Sequence, residues 1–95
     1  MSPSLQQSWE MTRADLERAR NLIPSSKDES DLAQYVEFLE ANELELALDE
    51  LEAIGSETAC PPEFWRVLLS AAEGMHLTEH VTRLALALRH SEIAV

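Results

Sequence analysis

The side chains able to do chemistry are few. Three histidines, one cysteine and eighteen carboxylates make up the reactive inventory of the 95 residues. His76 and His80 stand four residues apart, a spacing that holds a metal on the face of one continuous helix. Gly74 and Thr78 are a terminator and a cap, so a helix boundary is predicted between the two imidazoles, and only Glu73 and Glu79 lie near them at metal spacing. They are expected to be surface or interfacial histidines, without a metal. Cys60 precedes two prolines and has no histidine within ten residues. A nucleophilic thiol needs an adjacent base or cation, so a loop or buried thiol is expected.

Carboxylate pairs do acid–base work when their environments push their pKa values apart. Here they sit on polar helical faces, where ordinary solvation is expected. Calcium loops need alternating oxygen ligands around a central glycine, and the acidic stretch is helical instead. No glycine-rich phosphate loop is present. The expectation is a protein that binds, with no catalytic residue, no metal and no cofactor.

The placement of the charge is more informative. The formal net charge is −11. From Asp28 to Glu57 there are eleven acidic residues and no basic one: Asp28, Glu29, Asp31, Glu37, Glu40, Glu43, Glu45, Asp49, Glu50, Glu52 and Glu57. Seven acids and seven bases lie elsewhere, so thirty residues hold the whole net charge. Like charges four apart on a helix, such as Glu45 and Asp49, repel. A concentration that works against the helix and has no evident folding benefit points to a contact surface; the alternative is a plain solvated face. The matching partner is a basic protein, met quickly and in a salt-sensitive way. Nucleic acid and anionic membranes are unfavourable partners, because phosphate binding needs clustered Lys and Arg.

The elements that position these residues follow from apolar spacing, and they predict an all-α single domain, 1–95, of four to five short helices. Leu, Ala and Glu favour helix, and two Gly with four Pro leave little material for β turns. After a frayed start, Leu5, Trp9, Thr12, Leu16, Ala19 and Ile23 form one amphipathic face, ended by Pro24; Ser8 is a possible cap. Trp9 is expected in the core. A second helix runs from Asp31 to about Ala41, capped by Ser30 or Asp28, with Leu32, Tyr35, Val36 and Leu39 inside. Asn42 and Glu45 match a capping box for a third helix, Glu43 to about Ile54, which buries Leu44, Ala47, Leu48 and Leu51. Gly55 fits the left-handed position that closes it. These two helices should pack as an acidic αα-hairpin. Pro62 opens a fourth helix with Phe64, Trp65, Leu68, Leu69 and Ala72 inside, ended by Gly74. Thr78 caps a fifth, to about His90, with Val81, Leu84, Ala85 and Leu88 inside; the last five residues are expected to fray or to dock weakly. No internal repeat is present, the apolar runs are too short to span a membrane, and no signal peptide precedes the first helix. A cytoplasmic protein is expected.

One segment carries a family resemblance. Tyr35 to Leu51 places an aromatic and aliphatic helix before Asn42-Glu43, followed by Leu46-Ala47-Leu48 and the acidic run Asp49-Glu50-Leu51; Phe64-Trp65 opens a helix after a short loop. Over roughly residues 32–77 this resembles the MafI-type family of small bacterial immunity proteins. The resemblance implies a cytoplasmic antidote that binds and blocks the toxin domain of a polymorphic toxin system. Many such toxins are nucleases with basic clefts, which an acidic hairpin could occupy. The expected contact set is Glu37, Glu40, Glu43, Glu45, Asp49, Glu50 and Glu52, with Glu45, Asp49 and Glu52 on one side of their helix. A different class of function is a small helical adaptor or secretion chaperone that dimerises through Trp9, Phe64 or Trp65. A third is a regulatory domain with a ligand pocket between helices.

Overall fold

The computed structural model describes the backbone of residues 5–24 and 29–93 and the side chains of 9–24 and 32–93. Five helices follow one another: α1 (Leu5–Asn21), α2 (Glu29–Glu40), α3 (Leu44–Glu57), α4 (Pro62–Gly74) and α5 (Thr78–Ile93), with no strand among the described residues. The fold is all-α. The Ser8 cap falls on a side chain outside the described residues, as does that of Leu5. α1 begins at Leu5, an earlier start than the Ser8 cap and one that the apolar face from Leu5 onward allows; α2 begins at Glu29, so Ser30 lies inside the helix, and the alternative cap Asp28 lies outside the described residues.

The centre of the domain is α4. It buries Phe64, Trp65, Val67, Leu68, Ala71 and Ala72, a stripe wide enough to meet neighbours on more than one side. α1 and α5 both pack on it, and α3 touches it as well. Val67 was not among the residues expected inside, and Leu69 is only partly buried. The reason is that the buried arc of α4 is set by two packed helices rather than one. α2 and α3 pack against each other as the expected αα-hairpin, and α3 also meets α1. One apolar cluster joins all five helices, with Leu16, Tyr35, Leu48, Leu51, Phe64, Leu68 and Leu84 fully enclosed.

The helix ends differ from the sequence expectation in an instructive way. Asn42 is not an N-cap: its φ is 60°, the left-handed conformation. Its N–H donates to the Leu39 carbonyl at 3.1 Å, and the Glu43 N–H donates to the Phe38 carbonyl at 2.9 Å. This pair of bonds is the Schellman closure of α2. Glu43 then stands at the N-cap of α3 without a side-chain hydrogen bond, so the capping box with Glu45 is not formed. The same closure ends α4. Gly74 stays helical, and His76 takes the left-handed position at φ 58°, with bonds from His76 N–H to the Glu73 carbonyl and from Leu77 N–H to the Ala72 carbonyl. The boundary expected between His76 and His80 is present.

Gly55 does not close α3. The helix runs on to Glu57, no glycine has a positive φ, and Gly55 is buried. A Cβ there would overlap the Phe64 ring and stand 2.9 Å from its Cζ and 3.0 Å from Trp65 Cη2. Phe64 and Trp65 meet edge to face, with ring centroids 5.0 Å apart. The glycine is therefore required by the close approach of this aromatic pair, not by backbone conformation.

α5 is held more lightly. Leu84 is its single fully buried residue among those described; Val81, Ala87 and Leu88 are partly buried against the core. Ala85, expected inside, is exposed, because α5 has the α4 face to cover and little else. Val36 is likewise 41% exposed: Leu32, Tyr35 and Leu39 take the inner face of α2 and leave it at the edge. No described helix is long and apolar enough to cross a membrane.

Candidate interaction surface

The acidic residues of α2, α3 and the turn between them fall into two groups. Asp49 and Glu52 are paired with side chains of α5. His80 Nε2 lies 2.7 Å from Asp49 Oδ1. Arg83 donates to both Glu52 oxygens at 2.8 and 2.9 Å, and its guanidinium lies 3.9 Å from Asp49 Oδ1. Both rungs join residues 31 apart in the chain. They fasten α3 to α5, which otherwise packs on α4. These two carboxylates thus have the folding role that spacing within one helix could not reveal. Both are already paired within the chain, whereas a free contact carboxylate would not be.

Glu37, Glu40, Glu43, Glu45 and Glu50 form no ion pair or side-chain hydrogen bond among the described residues. Glu37, Glu40, Glu43 and Glu45 are exposed, and Glu50 is half-buried. Glu37 and Glu40 lie in the last turn of α2, which carries no basic residue. A negative charge there opposes the helix dipole. The structure offsets part of that cost from α1, where Arg13 donates to the Leu39 carbonyl at 2.9 Å. Other arginines pair elsewhere: Arg18 and Arg66 with Glu63, and Arg66 with Glu92.

Apolar surface borders this acidic set in two places. Val36 and Leu32 line an open groove with Arg20, Glu37 and Glu40. Trp9 lines a second with Thr12, Glu45, Gly74, Met75, His76 and Leu77. Trp9 is 47% exposed, not core: α4 ends at Gly74 and the chain turns away at His76, so no described residue covers the outer face of the indole. Phe64 and Trp65, by contrast, are buried beneath α3 and cannot serve as contact anchors.

Burial pushes the Cys60 thiol above its ordinary value, the opposite of what an activated nucleophile needs. Tyr35 is buried with its hydroxyl unpartnered among the described residues. Burial is the main cause that pushes its pKa up to about 12, with the Glu17 charge adding to it. The depressions between helices are open grooves, with no enclosed chamber among those described.

Sequence reasoning missed the Asp49–His80 and Glu52–Arg83 rungs because rules for charge pairs act within one helix. The constant offset of 31 arises because α5, packed on α4, brings His80 and Arg83 within side-chain reach of α3. No family model matches the chain, and no curated protein or solved structure is significantly similar to it.

Proposed function

We propose that the chain is an immunity protein that binds and neutralises the toxin domain of a polymorphic toxin system. The observation that carries this reading is the split among its carboxylates. The fold uses Asp49 and Glu52 internally, yet leaves Glu37, Glu40, Glu43 and Glu45 exposed and without a cationic partner among the described residues. Two of these oppose the α2 dipole. Charge at Glu37 and Glu40 that opposes its own helix, together with Glu45 beside an exposed indole, suits a basic partner with an apolar patch. Steering by the net charge would speed the encounter, and Trp9 would supply a desolvated anchor. The resemblance of residues 32–77 to MafI-type proteins supplies the class of partner. A toxin nuclease has a basic cleft because its substrate is phosphate, and the acidic surface would occupy that cleft in place of nucleic acid.

The test is a binding measurement with the toxin-like C-terminal domain encoded by the neighbouring reading frame. The triple variant Glu37→Lys, Glu40→Lys, Glu45→Lys should weaken binding roughly 100-fold or more, because like charges facing across an interface cost several kcal/mol. Helicity should be unchanged. Lys at 37 and 40 suits the α2 dipole while Lys at 45, in the first turn of α3, opposes that of α3, so folding stability should hold within about 1 kcal/mol. Unchanged affinity would sink the charge-based mechanism.

A second reading is favoured by one feature of α5. Leu86 and Ile93 are 53% and 76% exposed and stand two turns apart on one face. A small helical adaptor or secretion chaperone would use such a stripe to form a dimer. Sedimentation separates the two readings: a stable dimer at low concentration, lost on Leu86→Glu, supports the adaptor.

A further inference from the structure

The rungs between α3 and α5 continue one step beyond the two that are bonded. Asp49 meets His80 and Glu52 meets Arg83, each pair offset by 31 residues. The same offset carries Glu45, one turn earlier on α3, to His76 in the turn before α5. One observation agrees with this placement, and a second concerns Glu45, Asp49 and His80 alone. Glu45 and His76 line the same depression of about 260 Å³ with Thr78, Glu79 and His80. Ligand atoms of Glu45, Asp49 and His80 all lie within 4.8 Å of one another. We propose that Glu45, Asp49 and His80 form a binding site for a divalent transition metal of the zinc class, with His76 placed to approach as a fourth ligand.

The donor set selects the metal. An imidazole with two carboxylates suits zinc, cobalt or nickel, whereas calcium and magnesium take mainly oxygen ligands in larger number. Zinc bonds of about 2.0–2.1 Å set neighbouring ligands of a tetrahedron about 3.3 Å apart. The His80–Asp49 pair at 2.7 Å must open slightly and Glu45 must swing inward. Both are side-chain rotations, since Glu45 is exposed and forms no competing ion pair among the described residues. The second element of the site is already fixed: His80 is 13% exposed at its side chain and its Nε2 already points at Asp49.

The electrostatics agree with the geometry. Glu45, Asp49 and Glu79 are the carboxylates around the site, and Arg83 is the nearby cation. Arg83 is directed away by its two bonds to Glu52. A divalent ion would relieve the repulsion between Glu45 and Asp49, four apart on α3. It would also cross-link α3 to α5 where apolar packing is thinnest. The sequence alone offered no such site, because the ligands come from two helices rather than from one motif.

The test uses the untagged full chain and zinc chloride in titration calorimetry, with the visible spectrum of the cobalt-substituted protein as the readout of coordination. One zinc per chain is expected. Glu45→Ala and His80→Ala should each weaken binding at least tenfold, Glu37→Ala should leave it unchanged, and excess magnesium should not displace the zinc. Zinc should also raise the melting temperature of the wild type, since a ligand that binds only the folded state stabilises it, and not that of Glu45→Ala. Absence of saturable binding, equal binding by Glu45→Ala and the wild type, or displacement by magnesium would each overturn the proposal. Glu45 has no ion pair among the described residues to lose, so its variant remains informative even if His80→Ala is unstable. The proposal does not depend on the immunity reading, because no partner enters the experiment.

Discussion

Replacing Gly55 by alanine is expected to destabilise the protein, against what helix propensity alone predicts. Gly55 is a helical, buried residue of α3. Alanine in a helix interior is favoured over glycine by about 1 kcal/mol. The new Cβ, however, would overlap the Phe64 ring and stand 2.9 Å from Phe64 Cζ and 3.0 Å from Trp65 Cη2. Those rings are buried and locked edge to face, so neither can swing aside as the end of a flexible chain would. Forcing one extra carbon into such a contact costs about 1–3 kcal/mol, and a rigid aromatic partner places this site at the upper end. The net effect is a loss of roughly 1–2 kcal/mol. For a domain of this size, each kcal/mol moves the melting temperature by about 4–8 °C, so a fall of roughly 5–15 °C is expected in a calorimetric scan. The double variant Gly55→Ala with Phe64→Leu should lose less than the sum of the two single changes, since the smaller side chain vacates the space. A Gly55→Ala protein as stable as the wild type, or more so, would refute the packing argument and return Gly55 to an ordinary helix glycine.

Three further outcomes follow from particular residues. Tyr35 stays protonated in the fold up to about 12 while its ordinary value is 10, so the unfolded chain loses the proton first as pH rises. Stability should therefore be intact below about pH 10 and fall by roughly 2–3 kcal/mol on approach to pH 12, and Tyr35→Phe should remove that component of the alkaline loss in a pH series of urea melts. Asn42 occupies a left-handed position, so Asn42→Val should cost about 1–2 kcal/mol, whereas Asn42→Gly should be neutral or slightly stabilising in the same melts. Arg83→Ala removes an exposed bidentate pair with Glu52, which is worth at most about 1 kcal/mol, and the difference from wild type should shrink in 1 M salt as screening shortens to about 3 Å.

The five helices were legible because each carries a long apolar stripe, and Pro24, Pro62 and the polar stretch at 24–30 punctuate them. What spacing could not settle were features decided by a partner far away in the chain. Asn42 is acceptable both as an N-cap and as a left-handed C-terminal residue. The choice fell to closing α2, because its N–H and that of Glu43 satisfy carbonyls left open there. Gly55 read as a helix stop because glycine after an apolar residue often is one, and only the arrival of Phe64 reveals its packing role. Trp9 lies on the correct face of α1 but beyond the end of α4, a matter of relative helix length that no local pattern records. The acidic span was visible at once. Its division into paired and unpaired carboxylates was not, since that depends on which side chains of α5 reach across to α3.

The account turns on whether the unpaired carboxylates form a binding face. The most direct measurement is the affinity of the wild type and of the Glu37→Lys, Glu40→Lys, Glu45→Lys variant for the C-terminal domain of the neighbouring reading frame's product, which the proposed function expects to be a toxin. Titration should be run at low and at physiological salt, with circular dichroism on both proteins. The account predicts tight, salt-sensitive binding by the wild type, a loss of roughly 100-fold or more in the variant, and the same helical spectrum for both. Equal affinity of the two proteins, with no response to salt, would contradict it.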